Sequence, residues 1–180
     1  MRKLFIAAIS QCCLLSVMTC QTAFAFNKPG DISITLGGGY DYLSDKRQME
    51  NTGIPFGIIG YNFTDHWGIE GLLGFFHTDS RRPVNYGKDV SGTMFAVDAV
   101  YHFSPYKMIQ PYVLAGPGAM GFNPNGTSAN NEGNINAAVG VQIFATEGVA
   151  LRLEVRDFYT FVGAKNDVFL SGGVSFLIPT

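Results

Sequence analysis

In the stretch VALRLEVRDFYTF, Val149 to Phe161, ionisable side chains recur at every second position: Arg152, Glu154, Arg156. Guanidinium, carboxylate, guanidinium is a set of groups made for charge-assisted hydrogen bonding, because a carboxylate accepts the two parallel N–H groups of an arginine fork. Leu151, Leu153 and Val155 stand between them. Side chains alternate across an extended chain, so this is a two-faced strand with one apolar and one charged side. If the charged side is the buried one, each charge needs a partner. Glu70 in WGIEGLLGF and Asp98 in MFAVDAVYHF are mid-strand carboxylates that can supply it, and Gln142 in AAVGVQIF adds a neutral acceptor and donor. We therefore expect one interior network of Glu70, Asp98, Gln142, Arg152, Glu154 and Arg156, with the pairing inside it left open.

Other reactive chemistry is sparse. The histidines are His66, His77 and His102. His102 shares a face with Asp98 four residues away, but two ligands on one strand without a third do not make a metal site. A hydrogen-bonded interior histidine is the expectation, with no cofactor. Cys12, Cys13 and Cys20 all fall within the first 25 residues. Those residues have a basic head (Arg2, Lys3), an apolar run and Ala23-Phe24-Ala25, so residues 1–25 are expected to be a secretory signal, leaving a cysteine-free domain over 26–180. Lipidation at Cys20 is the rival, and Val17, Met18 and Thr19 fit it poorly. Without the signal, ten basic residues face fourteen acidic ones, a net charge of −4 that speaks against nucleic acid as a partner.

The elements that must position these groups are strands. Alternating segments lie at about 31–43, 54–63, 67–78, 92–103, 110–122, 134–145, 148–160 and 168–178, and no helical period competes with them. Long polar connections (RQMENTGI, SRRPVNYGKDVS, NPNGTSANNEG) alternate with short ones (TDH, SPYKMI, TEG). In the clearest strands a bulky apolar face opposes a small, polar one: Phe95, Val97, Ala99 and Tyr101 against Met94, Ala96, Asp98 and His102. Aromatics gather toward strand ends, at Tyr40, Tyr42, Tyr61, Phe63, Trp67, Tyr101, Phe103, Tyr112, Phe158 and Tyr159. Short turns at one end, longer loops at the other and aromatic rows predict an all-β, eight-stranded antiparallel up-and-down transmembrane β-barrel with its apolar comb toward lipid and both termini on the short-turn side. A soluble lipocalin-like carrier would need the faces reversed.

GIIGYNFTDHWGIEGLLGFF, AAVGVQIFATEGVALRLEVRDF and SGGVSF resemble, in order and spacing, the second hairpin, the sixth and seventh strands and the closing strand of OmpA-like outer-membrane barrels. The resemblance covers about residues 27–178. It implies a bacterial outer-membrane monomer with periplasmic termini, a luminal salt-bridge network and little or no pore, folded by the barrel-assembly machinery. Glu70, Arg152 and Glu154 match the family positions. Asp98 stands where the family has a lysine, and Gln142 replaces a carboxylate. The cell-wall-tethering domain of the family is not carried over, and the chain ends SFLIPT, so Phe176 is the nearest aromatic to its end.

What such a barrel implies is a structural, non-enzymatic envelope role, with surface loops available to lipopolysaccharide or host molecules. Arg81, Arg82 and Lys88, with Lys46 and Arg47, are loop cations that could meet lipopolysaccharide phosphates, but Asp45, Glu50, Asp79 and Asp89 accompany them, which favours a plainly solvated loop. A small-solute channel is a second reading. Some small outer-membrane barrels are lipid A deacylases, and His77 is the nearest candidate; HTDS, however, places Asp where the deacylase-type motif has Ser.

Overall fold

Each alternating segment forms a strand in the computed structural model, which describes residues 27–81, 87, 89–124, 130–146 and 148–180. The strands are β1 (Ile32–Tyr42), β2 (Thr52–Asn62), β3 (Trp67–Asp79), β4 (Asp89–His102), β5 (Ile109–Pro124), β6 (Asn130–Thr146), β7 (Val149–Thr160) and β8 (Lys165–Ile178). Each pairs antiparallel with the next, and β8 returns to β1, so the sheet closes without a free edge. The expected signal, with its three cysteines, and two of the loop cations, Arg82 and Lys88, lie outside the described residues.

Cross-strand partners taken once around run from Ile32 through Tyr61, Ile69, Ala99, Ala115, Ala137, Asp157 and Val168 to Tyr42, ten residues further along β1 than the start. Strand number and stagger together set the tilt and width of a barrel, and eight strands leave an interior that side chains fill. At the long-loop end the ladder outruns the alternating pattern: β4 begins at Asp89, β6 at Asn130 and β8 at Lys165. Backbone pairing does not need an apolar face. Where the strands leave the apolar band, both faces turn polar and the sequence signal stops before the sheet does.

The apolar comb faces out. Leu36, Ile59 and Val139 are 60–61 % exposed in the isolated chain, and Leu151, Leu153 and Val155 share that face. A continuous apolar girdle of this kind suits lipid. Tyr61 and Phe63 pack edge-on at the short-turn end, as do Trp67 with Tyr101 and Tyr101 with Phe103; Tyr40 with Tyr42 and Tyr159 with Phe161 do so at the other. Two aromatics expected in these rows are not there. Tyr112 and Phe158 point inward and are buried, because Phe158 has the strand parity of Arg152, Glu154 and Arg156 and Tyr112 that of Gln110 and Leu114.

The interior is also less uniformly polar than expected. Ile54, Phe56, Leu72, Phe76, Met94, Met120, Phe122, Phe158 and Phe169 form an apolar plug inside the half nearer the long loops. Phe56 meets Phe169 edge-on at 5.8 Å and Phe76 meets Phe122 at 5.6 Å. FGIIG and GLLGFF are apolar on both faces, so alternation does not reveal which large residues turn inward.

A charge on the outward face is expected to be costly. Val155→Arg, midway along β7, should lower folded-state stability by about 2–4 kcal/mol, the cost of a basic side chain near the bilayer midplane. Urea unfolding in lipid vesicles measures it.

Candidate functional site

The charges that alternate along β7 meet their partners inside the barrel. Arg152 donates both ends of its fork to Glu70 on β3, at 2.8 and 2.7 Å, and Nη2 also reaches Glu154 at 2.7 Å. Arg156 donates Nε to Glu154 at 2.8 Å and Nη1 to Asp98 on β4 at 2.7 Å. Glu70, Arg152, Glu154, Arg156 and Asp98 thus form one chain of ion pairs across the lumen. All five are buried, and at 2 and 0 % exposure the arginines are sealed from solvent.

Three carboxylates face two guanidinium groups, so the network needs neutral donors. Tyr112 supplies its hydroxyl to Glu154 at 2.7 Å, and Asn136 gives Nδ2 to Asp98 at 2.8 Å while accepting from Arg156 at 3.0 Å. The Arg152 guanidinium also lies over the Tyr112 ring, 4.6 Å from its centroid. Gly140 makes the ring's seat possible, since a Cβ there would overlap the Tyr112 hydroxyl end. Neither Tyr112 nor Asn136 was among the residues expected in the network. Asn136 carried a signal, since it shares a strand face with Gln142.

Gln142 belongs elsewhere. It sits opposite Arg152 in register but accepts a hydrogen bond from Asn27 at 3.2 Å, in a polar cluster at the short-turn end. Asn27 Nδ2 also donates to Gln110 at 2.9 Å and contacts His102 Nδ1 at 3.2 Å. The expectation of one network including Gln142 is corrected to two, because the Gln142 side-chain carbonyl is taken by Asn27 from the short-turn side while Arg152, opposite it in register, turns its guanidinium to Glu70 and Glu154. His102 and Asp98 likewise have different partners, and among the described residues no group of three or more candidate side chains could hold a metal.

The opposite end is closed by a loop. Asp45–Arg47 forms a short 3-10 turn between β1 and β2, and Arg47 turns into the barrel mouth, 2 % exposed. It donates Nε to Asp167 on β8 at 2.8 Å, Nη1 to Glu132 on β6 at 2.7 Å and Nη2 to Thr160 on β7 at 2.8 Å. Its guanidinium stands 4.7 Å from the centroid of Phe122 on β5. Burial disfavours the charge, but the hydrogen bonds and charges of Asp167 and Glu132 outweigh it and raise the Arg47 pKa above its ordinary value. Lys165 adds a 2.6 Å pair to Glu132.

Arg47 was expected on the surface, available to phosphates. It is instead consumed by the chain's own carboxylates, and Lys46 is tied to the Ala164 carbonyl at 2.8 Å. Arg81 remains half exposed, with Glu50 at 3.7 Å. Asp167 and Glu132 lie outside the alternating segments, because β8 and β6 run past them. His77 and Asp79 face outward while Ser80 is buried, so the three are not brought onto one side of the sheet.

Residues 12–175 match the family described as the outer membrane protein beta-barrel domain. An 81-residue stretch is 38 % identical to outer membrane porin F of Pseudomonas aeruginosa, covering 43 % of this chain and 23 % of that protein. This chain therefore matches less than a quarter of that relative's length. Among solved structures, OprG of P. aeruginosa superposes with a TM-score of 0.68 at 13 % identity, over 87 % of this chain and 100 % of that one. The N-terminal barrel of P. aeruginosa OprF superposes with a TM-score of 0.61 at 21 % identity, over 83 % and 98 %. At such identities these two likenesses are of fold.

Proposed function

From the premise that the chain belongs to the outer membrane protein beta-barrel domain family and resides in the bacterial outer membrane, we propose that it is a sealed, non-enzymatic barrel that serves the envelope as a structural element. Its short-turn end and both termini face the periplasm. The observation that carries this reading is the filling of the lumen in successive layers. From periplasm to surface these are the Asn27 cluster, the Glu70–Arg152–Glu154–Arg156–Asp98 network, the apolar plug and the Arg47 latch. An ion passing through would have to break paired, desolvated charges and then cross a layer of phenylalanines. Each layer opposes it for a different physical reason.

The test is conductance. Purified barrel in planar lipid bilayers is expected to give no stepwise current in 1 M KCl. Discrete openings in the unmodified protein would sink the sealed-barrel reading and make the small-solute channel the better one. Loss of the protein from its own cell should increase sensitivity to detergents and bile salts, and unchanged sensitivity would remove the structural role.

A further inference from the structure

The mouth of the barrel holds more acceptors than Arg47 uses. Asp41 points inward near the end of β1, is 0 % exposed, and neither of its carboxylate oxygens has a hydrogen-bond partner among the described residues. It lies within electrostatic reach of Asp167 and Arg47. Asn134, the next inward residue on β6 below Glu132, is also buried with both amide atoms unpartnered. Among the described residues, Asp41, Asp167 and Glu132 stand against Arg47 and Lys165 in this cluster, three carboxyl groups to two cations. A buried carboxylate with no partner is costly to keep, and a cation brought beside Asp41 would relieve that cost.

The division of labour between strand and loop gives that excess a meaning. The groups that hold the guanidinium stand on closed-barrel strands: Asp167 on β8, Glu132 on β6, Thr160 on β7 and the Phe122 face on β5. The guanidinium itself arrives on a connection. We propose that the barrel mouth is a binding site for an organic dication bearing a guanidinium and a second ammonium group, and that Arg47 is the chain's own occupant of the guanidinium half. Asp41 is the acceptor for the second charge, with Asn134 as a neutral acceptor beside the cage. A ligand entering from the long-loop side replaces Arg47 on Asp167 and Glu132 and adds the pair that Asp41 lacks. This site goes beyond the sealed-barrel role, and a negative result here leaves the conductance test untouched.

The experiment is chemical rescue. Arg47→Ala protein, refolded in detergent, is heated with methylguanidinium chloride, with agmatine (a guanidinium joined to an ammonium by a four-carbon chain), or with NaCl at the same ionic strength. Methylguanidinium is expected to raise the unfolding midpoint saturably by about 4 °C near ten times its Kd, and agmatine to raise it further. Adding Asp41→Asn should erase the extra agmatine gain and spare the methylguanidinium response. No rise beyond the NaCl control would overturn the site, and equal responses to the two cations would overturn the role of Asp41. If Arg47→Ala does not fold, the unmodified protein serves: agmatine should speed proteinase K cleavage within residues 43–51 by lifting Arg47 from its cage, and an unchanged rate would overturn the proposal.

Discussion

Replacing Arg152 with methionine should lower the stability of the folded barrel by about 3–5 kcal/mol, the range for breaking a buried ion pair from one side. Glu70 would lose both ends of its fork and Glu154 one of its two arginines, and each carboxylate would stay desolvated. Trp67, the single tryptophan, lies on the lipid-facing aromatic row, so its emission follows unfolding in urea directly. The sharper measurement is the pair Arg152→Met with Glu70→Gln. A buried pair replaced as a unit costs much less than either partner lost alone, so the double variant should recover part of the loss. A double variant as unstable as the sum of the singles would show that the two residues do not act on each other.

Phe76→Ala should cost a similar amount, about 3–5 kcal/mol, for a different reason. Truncating a buried phenylalanine removes transfer energy and leaves a cavity. Gly92 on β4 lies directly under the ring, and a Cβ there would overlap it. Gly92→Ala is therefore expected to destabilise the native barrel by pushing the ring off its seat. In the Phe76→Ala background the added methyl has space, and the same substitution should be close to neutral or stabilising. Denaturant midpoints of the four proteins test this, and additivity between the two sites would show that ring and glycine do not compete for the same volume. Because the plug is one layer of several, Phe76→Ala alone should still pass no stepwise current.

The barrel and the centre of its network were legible in the sequence for one reason. Arg152, Glu154 and Arg156 sit on a strand whose other face is cleanly apolar, so period-two alternation located both the element and the side that turns inward. Asp98 and Glu70 followed from the same parity. Phe76, Phe122 and Phe169 did not, because a large apolar residue carries no mark of which face it occupies when its neighbours are also apolar. Asp167 and Glu132 obey the alternation of β8 and β6, but they stand at or past the edge of the apolar comb: Glu132 lies among Asn130, Asn131, Gly133 and Asn134, and Asp167 follows Lys165 and Asn166 just before the comb begins. Arg47 had no signal of any kind. A connection has no period, and only the geometry of three distant strands shows that its guanidinium turns inward.

The cluster at the base of the lumen bears on the order of assembly. Asn27 is bonded to Gln110 and Gln142, which follow it by 83 and 115 residues. It also touches His102, so its seat is built from β4, β5 and β6. The segment that is synthesised early in the chain can settle only after the sixth strand is in place. Contacts of such sequence separation form late, since loop closure must come first. The N-terminal end of the barrel therefore locks only once β4, β5 and β6 stand together, and its burial marks a sheet assembled at least that far.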